Sequence, residues 1–338
     1  MEFDVQWHIT DKCNMRCSHC YDSLKSNEDL SYSECIGIMD EISTFRTVLS
    51  SLHNTNLSIN FTGGEPLMRN DFFDLIEYSN RQKFTTKILT NGILLTDEKI
   101  RQLKELKVKF IQISIDDIGE RHDLFRKYAG AFEIATNNIS KLVENGFKVN
   151  ISCTISKFNL HKINDLISLA IKLKVYSIKF GRLIPIGNAT DIKNLLLSQD
   201  ELKNLFAYLY REKIRLSESI NLILDDPLFN IFSCNSGNEI ENEVEKMGGC
   251  SIGLNRICII ENGDVLPCRR LPLKIGNVKE NTLRDIWFNS EVLNNLRTTK
   301  FLKGKCKDCK TVKRCFGCPA ISFAVFNDYL EYDPQCWI

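Results

Sequence analysis

A chain of 338 residues is long enough to bury one large core and a second, smaller one. Its 44 lysines and arginines nearly cancel its 43 aspartates and glutamates, so the overall balance gives no electrostatic reason to expect nucleic acid or an anionic membrane as partner. No apolar run approaches the roughly twenty residues of a membrane span, and Met1-Glu2-Phe3-Asp4 has neither a basic nor an apolar leader region, so the expected setting is the cytoplasm. In that reducing setting 14 cysteines, gathered in clusters, read as metal ligands in preference to disulfides.

The first element is a short strand through Val5–Thr10, and the loop that leaves it reads Cys13-Asn14-Met15-Arg16-Cys17-Ser18-His19-Cys20-Tyr21. Three thiolates at this spacing can hold three corners of a cubane iron–sulfur cluster and leave one iron open to a small molecule, whereas a closed zinc site needs a fourth, distant ligand. Ser31 and Glu34 form a capping box that opens a helix through Ile36, Ile38, Met39, Ile42 and Phe45. Strands at Leu57–Phe61, Thr85–Leu89, Lys109–Ile115, Lys148–Ile155 and Tyr176–Leu183 then alternate with helices near Asp71–Ser79, Thr96–Leu106, Phe132–Glu144 and Leu160–Leu173, the last capped by Asn159. Six such alternations predict an α/β fold with a parallel sheet and right-handed crossovers, a partial (β/α)6 barrel whose chemistry gathers at the C-terminal ends of its strands. The cysteine loop lies at one such end.

The other strand ends carry Thr62-Gly63-Gly64-Glu65-Pro66, Thr90-Asn91-Gly92, Ser114 with Asp116, Thr154, and Pro185-Ile186-Gly187-Asn188; Arg126 closes the run His122-Asp123-Leu124-Phe125-Arg126. Glycines at such places let backbone approach a ligand closely. A second capping box, Ser198 with Glu201, opens a helix through Leu202, Leu205, Phe206, Leu209 and Ile214 that closes the barrel-like part, residues 1–217. Residues 218–249, with Asp225-Asp226-Pro227, Cys234 and a polar run, show little periodicity and read as a bridge. In residues 250–338 the cysteines return as Cys250, Cys258, Cys268, then Cys306-x2-Cys309-x5-Cys315-x2-Cys318 and Cys336, with Asn262-Gly263-Asp264 as a hairpin turn. Five residues between the paired cysteines are too few for a zinc ribbon, which usually has roughly fifteen to twenty. Cys35 reads as a packing residue on its helix, and Cys153 either packs as a small hydrophobe or faces the chamber at the end of the fifth strand.

The Cys-x3-Cys-x2-Cys loop, with His19 before and Tyr21 after its last cysteine, the GGEP segment and the order of the strand ends together resemble the radical S-adenosylmethionine (SAM) enzymes. The C-terminal cysteines resemble the SPASM extension of that family, a small domain with a short β-hairpin and helices, though two residues and not three separate the last pair. The resemblance covers nearly the whole chain. It implies that Cys13, Cys17 and Cys20 hold the cluster that binds SAM, that Gly63, Gly64, Glu65 and Pro66 meet the methionine amino group, and that Arg126 meets the carboxylate. Asn91, Ser114 and Asp116 would contact ribose or carboxylate, with Tyr21 and Thr154 beside the cofactor. By the same resemblance Cys306, Cys309, Cys315 and Cys336 hold one auxiliary cluster and Cys250, Cys268 and Cys318 another, whose fourth ligand is Cys258, Cys234 or none; the expected total is three [4Fe–4S] clusters.

The activity implied is reductive cleavage of SAM to a 5′-deoxyadenosyl radical that takes hydrogen from an unactivated C–H bond. Proteins of this architecture often modify ribosomally made peptides, so the first expectation is a peptide maturase that forms a thioether or C–C crosslink or an epimer, served by a flavodoxin- or ferredoxin-type electron donor. The alternative is an enzyme of cofactor or tetrapyrrole biosynthesis. A non-catalytic iron–sulfur or zinc protein would leave the open triad and GGEP idle. Cys234, with Cys153 in reserve, is the candidate thiol for returning a hydrogen atom to a substrate radical. Arg269 stands where the related sulfatase maturases carry an aspartate base, and arginine cannot take that proton, so formylglycine formation is not expected.

Overall fold

The computed structural model describes residues 2–21, 29–52, 55–233 and 249–338; Cys234 lies outside them. Strands β1 (Glu2–His8), β2 (Asn56–Thr62), β3 (Thr85–Thr90), β4 (Phe110–Ser114), β5 (Lys148–Ile155), β6 (Ser177–Arg182) and β7 (Asn221–Leu224) pair in that order, all parallel. Between them run α1 (Tyr32–Leu52), α2 (Phe72–Arg81), α3 (Asp97–Glu105), α4 (Glu120–Arg126), α5 (Ala131–Glu144), α6 (Ile163–Lys172) and α7 (Gln199–Arg215). The expected alternation is present, and both capping boxes form: the Ser31 and Ser198 hydroxyls accept the Glu34 and Glu201 N–H groups, and each glutamate accepts the serine N–H in return.

Three local expectations are corrected. Strand β7 falls in the stretch read as a bridge, because four residues, Asn221-Leu222-Ile223-Leu224, are too few for periodicity to stand out. Helix α4 is an addition, entered through Gly119 at a φ of 59°. The sixth helix begins as a 3-10 turn at Leu160–Lys162, and the Asn159 side chain does not cap it, because that amide is drawn inward.

The C-terminal third continues the same sheet. Strand β8 (Arg256–Ile259) pairs parallel with β1, placing Arg256 opposite Asp4 and Cys258 opposite Gln6. Strand β9 (Asp264–Leu266) turns back on β8 through Gly263, at a φ of 90°, so the predicted hairpin is there, and β10 (Gly276–Asn277) completes the order β10-β9-β8-β1-β2-β3-β4-β5-β6-β7. Helices α8 (Leu283–Asn289), α9 (Glu291–Leu296), α10 (Val312–Cys315) and α11 (Pro319–Phe326) follow. Trp287 of α8 packs its ring edge-on against Phe3 of β1 at 4.9 Å, and Phe45 of α1 meets Phe3 at 5.4 Å, so the end of the chain shares a core with its beginning.

Alternation along each strand separates two faces. Phe3, Val5 and Trp7 of β1 are wholly buried towards the helices, while Asp4 and Gln6 lie on the row with Arg256 and Cys258 of β8. Although β7 and β8 are remote in strand order, the Asp225 carboxylate just after β7 lies 3.8 Å from Arg256 Nη1 and accepts from Lys179 Nζ of β6 at 2.5 Å. The sheet is therefore curled until its two flanks nearly meet, and side-chain charges bridge the gap. Among the described residues no helix is long and apolar enough to cross a membrane.

Candidate active site

Cys13, Cys17 and Cys20 lie on the loop between β1 and α1, and backbone fixes that loop from two sides. On one side the Gly64 N–H donates to the Thr10 carbonyl at 2.8 Å and the Glu65 N–H to the Lys12 carbonyl at 2.7 Å. A Cβ on Gly63 would come within 2.3 Å of the Thr10 carbonyl oxygen, and one on Gly64 within 2.3 Å of that of Lys12, so only glycine admits the approach. On the other side the Asn188 N–H donates to the Cys20 carbonyl at 2.8 Å and its side-chain amide to the Cys17 carbonyl at 3.2 Å.

The three thiols line one cavity. Burial, opposed by Arg126 and reinforced by Cys20, pushes the Cys17 thiol up to about 11, and burial likewise raises Cys13. Asn14 Nδ2 and His19 Nδ1, buried on the same loop, have no hydrogen-bond partner among the described residues. Crowded thiols and left-over polar atoms are what a bound iron–sulfur cluster, with its cations and sulfide acceptors, satisfies. Among the described residues no three His, Cys, Asp or Glu side chains converge as they would around a single ion. A cubane asks for less convergence than a single ion, because each cysteine takes a different iron.

Behind the loop lies a buried charge cluster. Asp116 accepts from Arg126 Nε at 2.9 Å and from Nη2 at 2.7 Å, and its other oxygen accepts the Thr154 N–H at 2.8 Å. Its own N–H donates to His122 Nδ1 at 3.1 Å, and Asn159 Nδ2 donates to its carbonyl at 2.6 Å. Burial pushes the Asp116 carboxyl up, but Arg126 foremost, then His19 and His122, hold it down at about 2. Burial also depresses His19 and His122 to about 4, so at neutral pH both imidazoles are neutral beside an ionised Asp116–Arg126 pair. The His19 ring stacks on Phe125 at 4.6 Å, Phe125 on Phe158 at 4.8 Å, and the Arg121 guanidinium covers Phe158 at 4.2 Å.

The residues expected from sequence therefore divide into two tiers. Gly63, Gly64, Asn91, Ser114 and Thr154 line the cavity, as do Tyr21 and Arg126, whose Nη1 is left for a ligand. Glu65 and Asp116 stand behind them. The Glu65 carboxylate is occupied by the Leu67 N–H at 3.3 Å, the Thr90 hydroxyl at 2.7 Å and the Asn91 N–H at 2.8 Å, and Pro66 opens the 3-10 turn Pro66–Met68. Cys153 is buried on the row of β5 with Val149 and Ile151, where its thiol donates to the Asp116 carbonyl at 3.7 Å, and it also contributes to the cavity lining. No motif singles out His122, Asn159 or Arg182; His122 and Asn159 act through backbone that spacing does not reveal.

The auxiliary cysteines fall into two neighbourhoods. Burial, then the charges of Cys336 and Cys309, push Cys306 up to about 11, and Cys315 also feels Cys336. Cys318 feels Cys250, and both, with Cys268, act on the Arg270 guanidinium. Cys258 is buried on the interior row of β8. Asp333 ties these neighbourhoods to the barrel: its carboxylate accepts the Cys318 N–H at 3.1 Å, the Gln335 N–H at 3.0 Å, and Arg182 of β6 at 2.7 Å and 3.1 Å. Arg182, 3% exposed, also pairs with Asp226.

The radical SAM superfamily model matches residues 7–170, and the SPASM model, an iron-sulfur cluster-binding domain, matches residues 250–310. The AdoMet-dependent heme synthase of Methanosarcina barkeri is 31% identical, over 98% of this chain and 95% of its own length. The mycofactocin maturase MftC of Mycobacterium tuberculosis is 27% identical, over 98% of this chain and 82% of its own. Among solved structures, Streptococcus suis SuiB bound to precursor peptide SuiA shares the fold with a TM-score of 0.78 at 19% identity, over 100% of this chain and 76% of that one.

Proposed function

The chain belongs to the radical SAM superfamily, in the branch that carries a SPASM domain, and from that membership we propose that it oxidatively decarboxylates propionate side chains of an anionic tetrapyrrole. When bound, SAM and the iron–sulfur clusters supply a 5′-deoxyadenosyl radical that takes a hydrogen atom from the substrate and an acceptor for the electron left as carbon dioxide departs and a vinyl group remains. The observation that carries the reading is the charge of the cavity wall. Arg16, Arg126, Lys179, Arg182, Arg256, Arg269 and Arg270 face it, against Asp11 and Asp225 among the described residues. Asp116 balances Arg126 from behind the wall, and Asp226 with Asp333 balances Arg182, so the positive excess lies with the other cations. A wall of that sign favours a substrate with several carboxylates. The full-length similarity to a heme synthase supports the same choice.

The protein's own groups then have distinct work. Arg126, oriented by Asp116, presents Nη1 to the SAM carboxylate. Gly63 and Gly64 bring backbone carbonyls to the SAM amino group, since the Gly64 and Glu65 N–H groups are already committed to the cysteine loop. Cys306, Cys309, Cys315 and Cys336 hold one auxiliary cluster, and Cys250, Cys268 and Cys318 the other, for about twelve irons in all. A peptide substrate is the second reading, favoured by the mycofactocin maturase, which matches over the same span.

The test is turnover without oxygen, with SAM, a low-potential reductant and coproporphyrin III or its iron complex. The expected result is 5′-deoxyadenosine together with a porphyrin lighter by carbon dioxide and two hydrogens at each site attacked. Porphyrin recovered intact while a precursor peptide loses hydrogens to a crosslink would transfer the assignment to the peptide reading.

A further inference from the structure

Where the flanks of the curled sheet approach, three cations converge on the cavity: Lys179 from β6, Arg256 from β8 and Arg270 from the turn after β9. They share few acids. Asp225 Oδ2 accepts from Lys179 Nζ at 2.5 Å and lies 3.8 Å from Arg256 Nη1. Arg256 also reaches Asp4 at 3.4 Å, but Lys87 already holds that carboxylate at 3.2 Å. Arg270 feels the same Asp225 carboxylate, so three cations share that one acid. Arg270 Nη1 lies 3.9 Å from where a Gly181 side chain would begin, which places the guanidinium against β6 two residues after Lys179.

The Lys179 and Arg256 side chains are 26% and 27% exposed, open enough for a ligand and dry enough for charge to matter. A partly desolvated surplus of cations is costly until an anion completes it. We propose that this seam is an anion subsite that binds a carboxylate of the substrate, with Arg270 as the planar fork and Lys179 and Arg256 as flanking charges. The subsite deepens the tetrapyrrole reading and rests on it for the identity of the substrate. It also sets the bound carboxylate near Cys250, Cys268 and Cys318, whose charges act on the same guanidinium.

The test compares two pairs of probes on the holoenzyme: coproporphyrin III against its tetramethyl ester, and a glutamate-rich peptide against its glutamine counterpart. Wild type, Arg270→Gln and Lys179→Gln are titrated with each, and the reduced auxiliary clusters are followed by electron paramagnetic resonance. Wild type is expected to prefer the acid porphyrin, and each variant to lose roughly tenfold to a hundredfold in affinity for the acid while scarcely changing for the ester. The cluster signals should keep their shape. An acid preference that survives in both variants overturns the subsite, and a changed cluster signal beside it assigns Arg270 to charge balance at the auxiliary cysteines alone. If wild type shows no acid preference with either pair, the subsite is also overturned. Acid preference, and its loss in the variants, seen only with the peptides would keep the subsite and discard the tetrapyrrole.

Discussion

Asp116 commits its carboxylate, N–H and carbonyl to Arg126, Thr154, His122 and Asn159, so one residue ties four others together. His122 accepts the Asp116 N–H at Nδ1 and must stay neutral to do so. Its pKa is depressed from 6.5 to about 4, first by burial and then by Arg126. Between those values the unfolded chain takes up a proton that the folded chain refuses, so stability falls as pH falls through that window, by up to about 1.4 kcal/mol per pH unit. Above it His122 contributes no slope. His122→Asn, which keeps an acceptor, should flatten the dependence by close to one proton in denaturant unfolding carried from neutral to mildly acidic pH; identical slopes would refute this account. Arg126 was legible from its place in the motif order, whereas the supporting role of Asp116 was not. A carboxylate at a strand end gives no sign in sequence of whether it meets a ligand or holds the residue that does.

Two glycine-bearing segments, 62–66 after β2 and 185–188 after β6, grip the cysteine loop from opposite sides. The fit at Gly64 leaves no room for one more carbon, because a Cβ would stand 2.3 Å from the Lys12 carbonyl oxygen. Gly64→Ala should therefore shift the loop, release about four irons of the expected twelve and stop 5′-deoxyadenosine formation, while leaving the auxiliary irons in place. Iron and sulfide analysis of the anaerobic variant decides it, and an undiminished iron content would rule the clamp out. Long, strongly periodic elements and the Asn262-Gly263-Asp264 hairpin were legible because they carry their own signals. The strand β7 and helix α4 were not, being four and seven residues long and settled by what they pack against.

At the scale of the molecule, Arg182 joins barrel and C-terminal cysteines through Asp226, Asp333 and Gln335, all buried. Arg182→Gln would leave two buried carboxylates without their cation, at a cost of about 3–5 kcal/mol. It should also loosen the Cys318 backbone that Asp333 holds, so auxiliary iron should fall along with the unfolding midpoint. A midpoint within experimental error of wild type would show that the network is not holding the two parts together. Composition and the return of the cysteines suggest a core, a bridge and a small domain, and β8, β9 and β10 of that last part join the one sheet. Strand pairing between residues some two hundred and fifty positions apart leaves no periodic trace for sequence to show.

Because β1 is hydrogen-bonded to β2 on one side and to β8 on the other, the first strand to be synthesised waits for one of the last. While the ribosome works through everything in between, that flank of β1 is a bare row of amides and carbonyls, open to any extended segment that passes. Pairing over so long a span is also slow, because the chain loses the entropy of a very large loop before it gains a contact. Docking of β8 thus gives β1 its second neighbour only after some two hundred and fifty residues have been made.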